Sequence, residues 1–219
     1  MKLNRQNHPV AKAPERLVHM GIGAFFRAHQ AWYTAKSDAE NAWGYVAFTG
    51  RSAQVADELR DQDGLYTLVT RGADGDSFEV IPSVVRVEDG SELGLFTDAI
   101  ANPEIAAVTI TITESGYALD ADGELLNAKS QLEGLRSGNP VTALGRLAWA
   151  LNERRQRNGA PIALVPCDNI PKNGTLLKSA MIDLMTVFGE SAVVWLNTKV
   201  SFVSTSIDRI TPKTTPDDL

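Results

Sequence analysis

In Arg16-Leu-Val-His-Met-Gly-Ile-Gly-Ala-Phe-Phe26 a short apolar run ends in glycine, and a helical pattern over 26–39 follows at once, which is the strongest indication of fold in the sequence. Two glycines, Gly21 and Gly23, permit a tight turn and the close approach of backbone to a pyrophosphate. The third glycine of the usual dinucleotide fingerprint is absent, since position 26 is Phe. The pattern therefore predicts a strand, a turn and a helix, and it fits either a dinucleotide site or a plain strand-helix turn.

Apolar runs and helical patterns alternate along the rest of the chain. The region 65–88 is β-rich around a polar loop at 72–75, which predicts a hairpin and indicates an insertion of antiparallel strands. In the longest helical pattern, Arg154, Arg155 and Arg157 suit the negative end of the helix dipole. The periodicity predicts further strands at 44–49, 106–113, 161–166 and 200–203, and helices at 53–60, 91–101 with Ser91 as N-cap, 141–158 and 174–188.

The runs at 106–113 and 161–166 are apolar on both faces, as in strands covered on both sides of a parallel sheet. The predicted fold class is therefore α/β, a doubly wound, mostly parallel sheet with an antiparallel hairpin insertion. We expect an N-terminal tail at 1–15, one domain at 16–210, and a linker starting at 211–219, where Pro212 and Pro216 stand.

Composition excludes several classes of protein. The 219 residues carry 21 basic and 27 acidic side chains, a net charge of −6, without the basic cluster that a nucleic-acid groove requires. No apolar run reaches membrane-spanning length and the first residues lack a signal-peptide pattern, so we expect a cytoplasmic protein with neither nucleic acid nor membrane as partner. The single cysteine, Cys167, rules out an internal disulfide and a Cys-rich metal site.

Ligands of open α/β sheets bind outside the carboxyl ends of the strands, so the residues that follow each strand are candidates. No carboxylate follows the second strand, where a ribose hydroxyl would need an acceptor. Arg51 stands there instead, either to accommodate the 2′-phosphate of NADP or to stack on adenine, or as a solvated surface residue. Glu114 comes directly after an apolar strand and is a site residue or a loop carboxylate.

The fourth strand end carries Asp168 and Asn169. The amide of Asn169 is suited to donate to a ligand oxygen as in an oxyanion hole, although either residue would also cap the turn. Cys167 with a histidine would be the start of a hydrolase site, but no strained elbow motif surrounds it. We predict a buried spectator cysteine, and a packing or cofactor-orienting role for His29.

Taken in order, four stretches resemble the mannitol dehydrogenase family of long-chain polyol dehydrogenases, which includes mannitol 2-dehydrogenases and fructuronate and tagaturonate reductases. The resemblance covers the chain from Leu17 to Pro216. It is carried by Leu17-Val-His-Met-Gly-Ile-Gly-Ala-Phe-Phe-Arg-Ala-His-Gln-Ala31, Thr111-Ile-Thr-Glu-Ser-Gly-Tyr117, Pro166-Cys-Asp-Asn169 with Asn173-Gly174, and Ile207-Asp-Arg-Ile-Thr-Pro212.

This resemblance implies an oxidoreductase that interconverts a polyol or sugar acid with its ketose, of the mannitol/fructose or mannonate/fructuronate type, by hydride transfer with NAD or NADP. Family members have two domains, and their N-terminal Rossmann-like domain looks like this chain. Their C-terminal helical domain supplies a catalytic lysine with Asn and His partners, and it has no counterpart here. We therefore expect these 219 residues alone to bind cofactor weakly and not to turn over.

The same resemblance assigns roles residue by residue. Asn169 would be the oxyanion-hole asparagine that polarises the substrate oxygen. The residues expected on the cofactor, with Arg51 added from its position, are Gly21, Ile22, Gly23, Ala24, Phe25, Arg51, Thr113, Glu114 and Asn169.

Two departures from the family pattern stand out. Phe26 occupies a position where the family commonly has His, and the stretch 202–206 lacks the usual Pro and Met, which leaves the identity of the substrate open. A rival reading is a stand-alone nucleotide-binding or sensing module without catalysis. Another is an unrelated Rossmann-type enzyme that shares the motifs by chance.

Overall fold

The structure is a computed structural model that describes residues 2–50, 53–112, 114–117, 125–207 and 211–212, and of residues 114 and 115 only the backbone. The described strands are β1 (Glu15–Met20), β2 (Gly44–Phe48), β3 (Tyr66–Gly72), β4 (Gly75–Ile81), β5 (Val84–Glu88), β6 (Ala107–Ile110), β7 (Ile162–Pro166) and β8 (Val200–Phe202). The described α-helices are α1 (Ala24–Ala28), α2 (Gln30–Ser37), α3 (Gln54–Arg60), α4 (Leu93–Ala101), α5 (Glu114–Tyr117), α6 (Ala128–Arg136), α7 (Ala143–Arg157), α8 (Asn173–Met185) and α9 (Glu190–Lys199).

Six of these strands form one sheet in the order β5-β2-β1-β6-β7-β8. All neighbouring pairs run parallel. The chain begins in the middle with β1, adds β2 and β5 on one side, and then returns to add β6, β7 and β8 on the other. The strand order therefore reverses between β1 and β6, which is where ligands bind in doubly wound sheets.

Both faces of the central strands are buried, because alternate side chains point to opposite sides. In β2, Val46 and Phe48 belong to the larger core with α4, α7, α8 and α9. Tyr45 and Ala47 belong to a smaller core with α1, α2 and α3. Coverage is less complete at the far edge, where Val165 is half-buried and Val203 is 41% exposed.

The predicted hairpin is confirmed for β3 and β4, which pair antiparallel from Tyr66 with Ile81 to Gly72 with Gly75. The prediction that the antiparallel insertion extends to residue 88 is wrong. Residues 84–88 form β5, which lies parallel to β2 in the main sheet. An alternating apolar run specifies a strand but not its direction, because the direction depends on pairing partners that are distant in sequence.

The predicted helices are present, with different ends. The helix predicted over 26–39 is two helices, α1 and α2, joined at His29, whose φ of −121° and ψ of −91° are not helical. Helix α4 has Glu92 as its N-cap residue, not Ser91. The pattern over 174–188 is α8 followed by a 3-10 turn at Thr186–Phe188. Helices α6 and α9 are additions that the periodicity did not indicate.

Arg154 was predicted to be a dipole-neutralising cation and is in fact fully buried. Its guanidinium donates five hydrogen bonds of 2.7–3.0 Å to backbone carbonyls, those of Ile100, Asn102, Ile105, Ala160 and Pro161. These carbonyls lie at the end of α4 and in the loops before β6 and β7. A single side chain thus connects three segments on one side of the sheet.

Candidate functional site

The turn after β1 is shaped by a glycine that the fold requires. Gly21 has a φ of +100°, which L side chains rarely adopt, and a Cβ there would lie 2.6 Å from the Thr111 carbonyl oxygen. The Gly21 and Ile22 amides both donate to the Phe48 carbonyl at 3.0 Å. The turn is therefore held between the ends of β2 and β6.

Gly23 is different, because nothing in the fold requires a glycine there. Its φ of −103° and ψ of −176° are accessible to any residue. Among the described residues, only the Gly21 carbonyl oxygen lies within 4 Å of a Cβ on Gly23, at 3.7 Å. The missing side chain thus leaves room outside the protein, which is what a bound phosphate group needs.

A buried histidine is connected to this turn by hydrogen bonds. His19 is completely buried in β1, and burial lowers its pKa to about 3, so the ring is neutral. Its Nδ1 lies 2.8 Å from Thr109 Oγ1 and its Nε2 lies 3.0 Å from Thr111 Oγ1. The Thr111 hydroxyl donates to the Gly21 carbonyl at 2.9 Å, so it accepts from Nε2–H, and the Thr109 hydroxyl donates to Nδ1.

Aromatic rings pack around this histidine. Phe26, which replaces the third glycine, is fully buried and stacks on His19 with 3.5 Å between ring centroids. Phe25 is half-buried and stacks on His29 at 5.0 Å, and Tyr33 meets His29 edge-on. These contacts agree with the predicted packing role of His29.

A cavity of about 400 Å³ opens beside the glycine turn at the carboxyl ends of β1, β2 and β6. Residues that follow β5 and residues of α4 and α7 complete its walls. The lining residues include Gly21, Thr49, Gly50, Gly90, Thr111 and Arg146. None of the described atoms lies within 4 Å of a Cβ built on Gly50, so this glycine too leaves space open.

A carboxylate lies near the end of β2, although the residues that follow this strand in the sequence are not acidic. The Thr49 hydroxyl donates to Asp89 Oδ1 at 3.3 Å and accepts from the Gly90 amide at 2.8 Å. Hydrogen bonding from the Ser91 amide, 2.8 Å from Oδ1, is the main cause that lowers the pKa of Asp89. Sequence reasoning missed Asp89, because only the pairing of β5 with β2 brings it to this position.

Arg146 is the second residue that sequence reasoning missed. It lies in α7, lines the cavity and is half-buried, and burial lowers the pKa of its guanidinium. Its Nη2 atom is buried and has no hydrogen-bond partner among the described residues. A buried donor without a partner is costly, which favours a group bound in the cavity that would accept from it.

The fourth strand end is organised by Asn173. This fully buried side chain donates to the carbonyls of Pro166 and Asp168 and accepts from the amides of Gly174 and Thr205. It thereby joins the end of β7 to the segment after β8.

Asp168, and not Asn169, forms the turn at this strand end. Its carboxylate accepts from the Ile170 amide at 3.1 Å and from the Tyr117 hydroxyl. Asn169 is exposed, so its amide is accessible to a ligand. Cys167 is buried as predicted, and burial raises the pKa of its thiol to about 11. An un-ionised thiol is a poor nucleophile, which argues against the hydrolase reading.

The other predicted site residues lie in different environments, and some of them are outside the described residues. Ile22 is buried in the smaller core, whereas Gly23 and Ala24 are exposed at the start of α1. Arg51 and Thr113 lie outside the described residues. Glu114 begins α5, and its side chain is not described.

Two further findings concern the described part of the chain as a whole. It holds no group of three or more His, Cys, Asp or Glu side chains arranged to bind a metal ion. Among its helices there is none with the length and apolarity needed to cross a membrane.

Comparison with known proteins gives consistent matches. Residues 15–218 match the family model for the mannitol dehydrogenase Rossmann domain. The chain is 36% identical to D-arabinitol 4-dehydrogenase of Ralstonia nicotianae, over 95% of this chain and 46% of that protein. It is 32% identical to D-mannonate oxidoreductase of Escherichia coli, over 95% of this chain and 45% of that protein.

A solved structure agrees with these relatives. The complex of Pseudomonas fluorescens mannitol 2-dehydrogenase with NAD and D-mannitol superposes with a TM-score of 0.88 at 31% identity, covering 99% of this chain and 49% of the other. The chain thus spans less than half the length of these proteins.

Proposed function

We propose, since this chain belongs to the mannitol dehydrogenase family, that it binds a nicotinamide dinucleotide and forms one wall of a site that interconverts a polyol or sugar acid with its ketose. The relatives named above act on arabinitol, mannonate and mannitol, so we infer a substrate of this class. A cytoplasmic location stays a prediction from the sequence.

One observation carries the cofactor proposal, namely the contrast between the two glycines of the turn. Gly21 is required by the backbone and by the nearby Thr111 carbonyl. Gly23 is required by neither, and a side chain there would point into the space where a pyrophosphate of a dinucleotide lies in this kind of turn. A ligand, not the fold, is therefore the physical reason for Gly23.

The cavity fits the adenosine half of such a cofactor. Its volume of about 400 Å³ suits a group of nucleoside size, and it lies at the point where the strand order reverses. The Arg146 Nη2 atom is a buried donor that a bound group can satisfy. We therefore assign Arg146 to the binding of this half.

When bound, the nicotinamide ring supplies a carbon that accepts hydride from the alcohol carbon of the substrate or returns it to the ketose. Asn169 is the residue of this chain that we assign to the substrate. Its exposed amide would donate to the substrate oxygen and stabilise negative charge as the hydroxyl proton leaves. The relatives named above are about twice as long as the part that this chain matches, and we propose that a second domain supplies the base.

The site residues predicted at the ends of the second and third strands keep the same proposed role. Arg51, Thr113 and Glu114 stand next to the cavity in sequence, after Gly50 and Ile112. We propose that they contact the cofactor together with Gly21, Ile22, Ala24 and Phe25.

A glycine substitution tests the cofactor proposal. We expect Gly23→Val to remain folded, because the backbone there accepts a β-branched residue, and to bind NADH at least roughly tenfold more weakly than the unchanged chain, because the added side chain fills the phosphate position. Calorimetric titration with NADH measures the binding, and thermal unfolding checks the fold.

Gly94→Ala is the matched control for this experiment. A Cβ on Gly94 meets no atom of the described residues within 4 Å, but this glycine lies in α4 and does not line the cavity. It should leave NADH binding unchanged while stabilising the helix by roughly 0.5–1 kcal/mol. Unaltered NADH binding by Gly23→Val, or none by the unchanged chain, would contradict the proposal.

A further inference from the structure

We propose that Asp89 makes this chain select NAD over NADP, by accepting hydrogen bonds from the ribose hydroxyls of the adenosine half. The inference rests on the proposed function, since it names the residue that distinguishes two forms of the same cofactor. In most doubly wound sheets the acidic residue that binds the ribose follows the second strand. Here we assign that role to a residue that follows β5.

The position of Asp89 is the first argument. In doubly wound sheets the adenosine ribose lies at the carboxyl end of the second strand, where an Asp or Glu commonly accepts from its hydroxyls. Here β2 ends at Phe48 and continues with Thr49 and Gly50, neither of which is acidic. The Thr49 hydroxyl instead donates to Asp89 Oδ1 at 3.3 Å, so the neighbouring strand supplies the carboxylate at that place.

The surroundings of Asp89 are the second argument. Thr49 and Gly90, the residues in contact with Asp89 and next to it, both line the cavity. The Ser91 amide donates to Oδ1 at 2.8 Å, which fixes the carboxylate and lowers its pKa. Asp89 is therefore an anion at neutral pH, a good acceptor for a hydroxyl and a poor neighbour for a phosphate.

Arg146 is the positively charged residue that would instead favour the 2′-phosphate of NADP. It faces Asp89 and Glu92, which both act on its charge, and it lines the same cavity. Among the described residues, Asp89 is the carboxylate that lies beside Thr49 at the end of β2, whereas Glu92 is exposed. A 2′-phosphate at this place, with a charge of about −1.5 to −2, would be repelled by the Asp89 carboxylate, whereas a 2′-hydroxyl would donate to it.

The test compares ligands that differ by the 2′-phosphate alone. The chain is titrated by calorimetry with NADH and NADPH, and with two fragments of the adenosine half, 5′-AMP and adenosine 2′,5′-bisphosphate. We expect the forms without the 2′-phosphate to bind tighter by about tenfold or more, the usual range for a hydrogen bond to a charged group. The fragments test the adenosine half without any contribution from the nicotinamide.

Asp89→Asn removes the charge and keeps an oxygen that accepts from the Ser91 amide. We expect the preference for the 2′-hydroxyl forms to fall at least about fivefold, mainly through tighter binding of the 2′-phosphorylated ligands. Damage to the fold would weaken all four ligands alike. Glu92→Gln is the matched control, because it removes an exposed carboxylate three residues away and should leave the preference unchanged.

The outcomes separate this inference from the proposed function. If NADH and NADPH bind the unchanged chain equally well, or NADPH binds tighter, the cofactor function stands and the role of Asp89 is wrong. Loss of an NADPH preference in Arg51→Ala would then identify Arg51 as the selecting residue. If Glu92→Gln changes the preference as much as Asp89→Asn, the selection does not lie with Asp89. If none of the four ligands binds, the proposed function fails as well.

Discussion

At the scale of single residues, the glycine turn depends on a neutral histidine. His19 links Thr109 to Thr111, and Thr111 holds the Gly21 carbonyl. A charged imidazolium would donate from both nitrogens, and the Thr109 hydroxyl would then have to turn from Nδ1 at 2.8 Å to the Val18 carbonyl at 3.5 Å. The neutral ring therefore gives the shorter chain of hydrogen bonds.

The stability of the protein should reflect this in its dependence on pH. The pKa of His19 is about 3 in the folded chain, below its ordinary value of 6.5, so the unfolded chain binds one more proton between these values. The contribution of His19 is complete above pH 6.5 and is lost as the pH falls, by up to about 1.4 kcal/mol per pH unit. Denaturant unfolding of the chain and of His19→Gln between pH 7 and about 4.5 measures how steeply the free energy of unfolding changes with pH in each protein.

His8→Gln is the control, since His8 is exposed near the N-terminus. The free energy of unfolding of His8→Gln should change with pH as steeply as that of the unchanged chain, whereas that of His19→Gln should change less steeply. Equal slopes for all three proteins would mean that His19 is protonated in the fold, against the tautomer assigned above.

Single residues also show why the candidate site was only partly foreseeable. Gly21, Gly23 and Asn169 follow apolar runs closely, so the local pattern alone marks them as candidates. Arg146 lines the cavity only through the packing of α7, and Asp89 lies beside Thr49 of the cavity wall only through the pairing of β5 with β2. Nothing in their own neighbourhood in the sequence marks them.

At the scale of elements, Arg154 holds three segments together. We expect Arg154→Met to lower the free energy of unfolding by at least about 3 kcal/mol, because five backbone carbonyls lose their donor, two of them in buried hydrogen bonds, and hydrogen bonds to charged groups contribute about 1.5–3 kcal/mol each. Denaturant unfolding measures the change.

Arg157→Met provides the comparison within the same helix. Arg157 forms exposed ion pairs with Asp98 and Glu153, which contribute less than about 1 kcal/mol. A similar loss of stability in both variants would show that the carbonyl contacts of Arg154 add little.

The elements themselves divide into those that the sequence predicts and those that it does not. Strands β1, β2, β6 and β7 are short apolar runs bounded by turns, and all four were predicted. Helix α9 was not, because its apolar residues are spread around the helix, with Val194 exposed and Leu196 buried. The bend at His29 was not predicted, because no glycine or proline marks a break between residues 24 and 37.

At the scale of the whole molecule, the described residues form only one side of the proposed substrate site. We expect these 219 residues to bind NADH without oxidising mannitol or mannonate, because they match less than half the length of the relatives named above, and the base is proposed to come from a second domain. Following nicotinamide absorbance with each substrate, and with a full-length mannitol 2-dehydrogenase as positive control, measures the turnover. Oxidation in proportion to the concentration of the chain would contradict this.

The strand order also has a consequence for synthesis on the ribosome. Strand β1 emerges first but lies in the centre of the sheet, where Val18 pairs with Val46 on one side and with Val108 on the other. The half formed by β1, β2 and β5 can assemble once residue 88 has emerged, while the other edge of β1 must wait for β6. During that interval the nascent chain presents an open, apolar strand edge, the kind of surface that chaperones cover and that aggregation exploits.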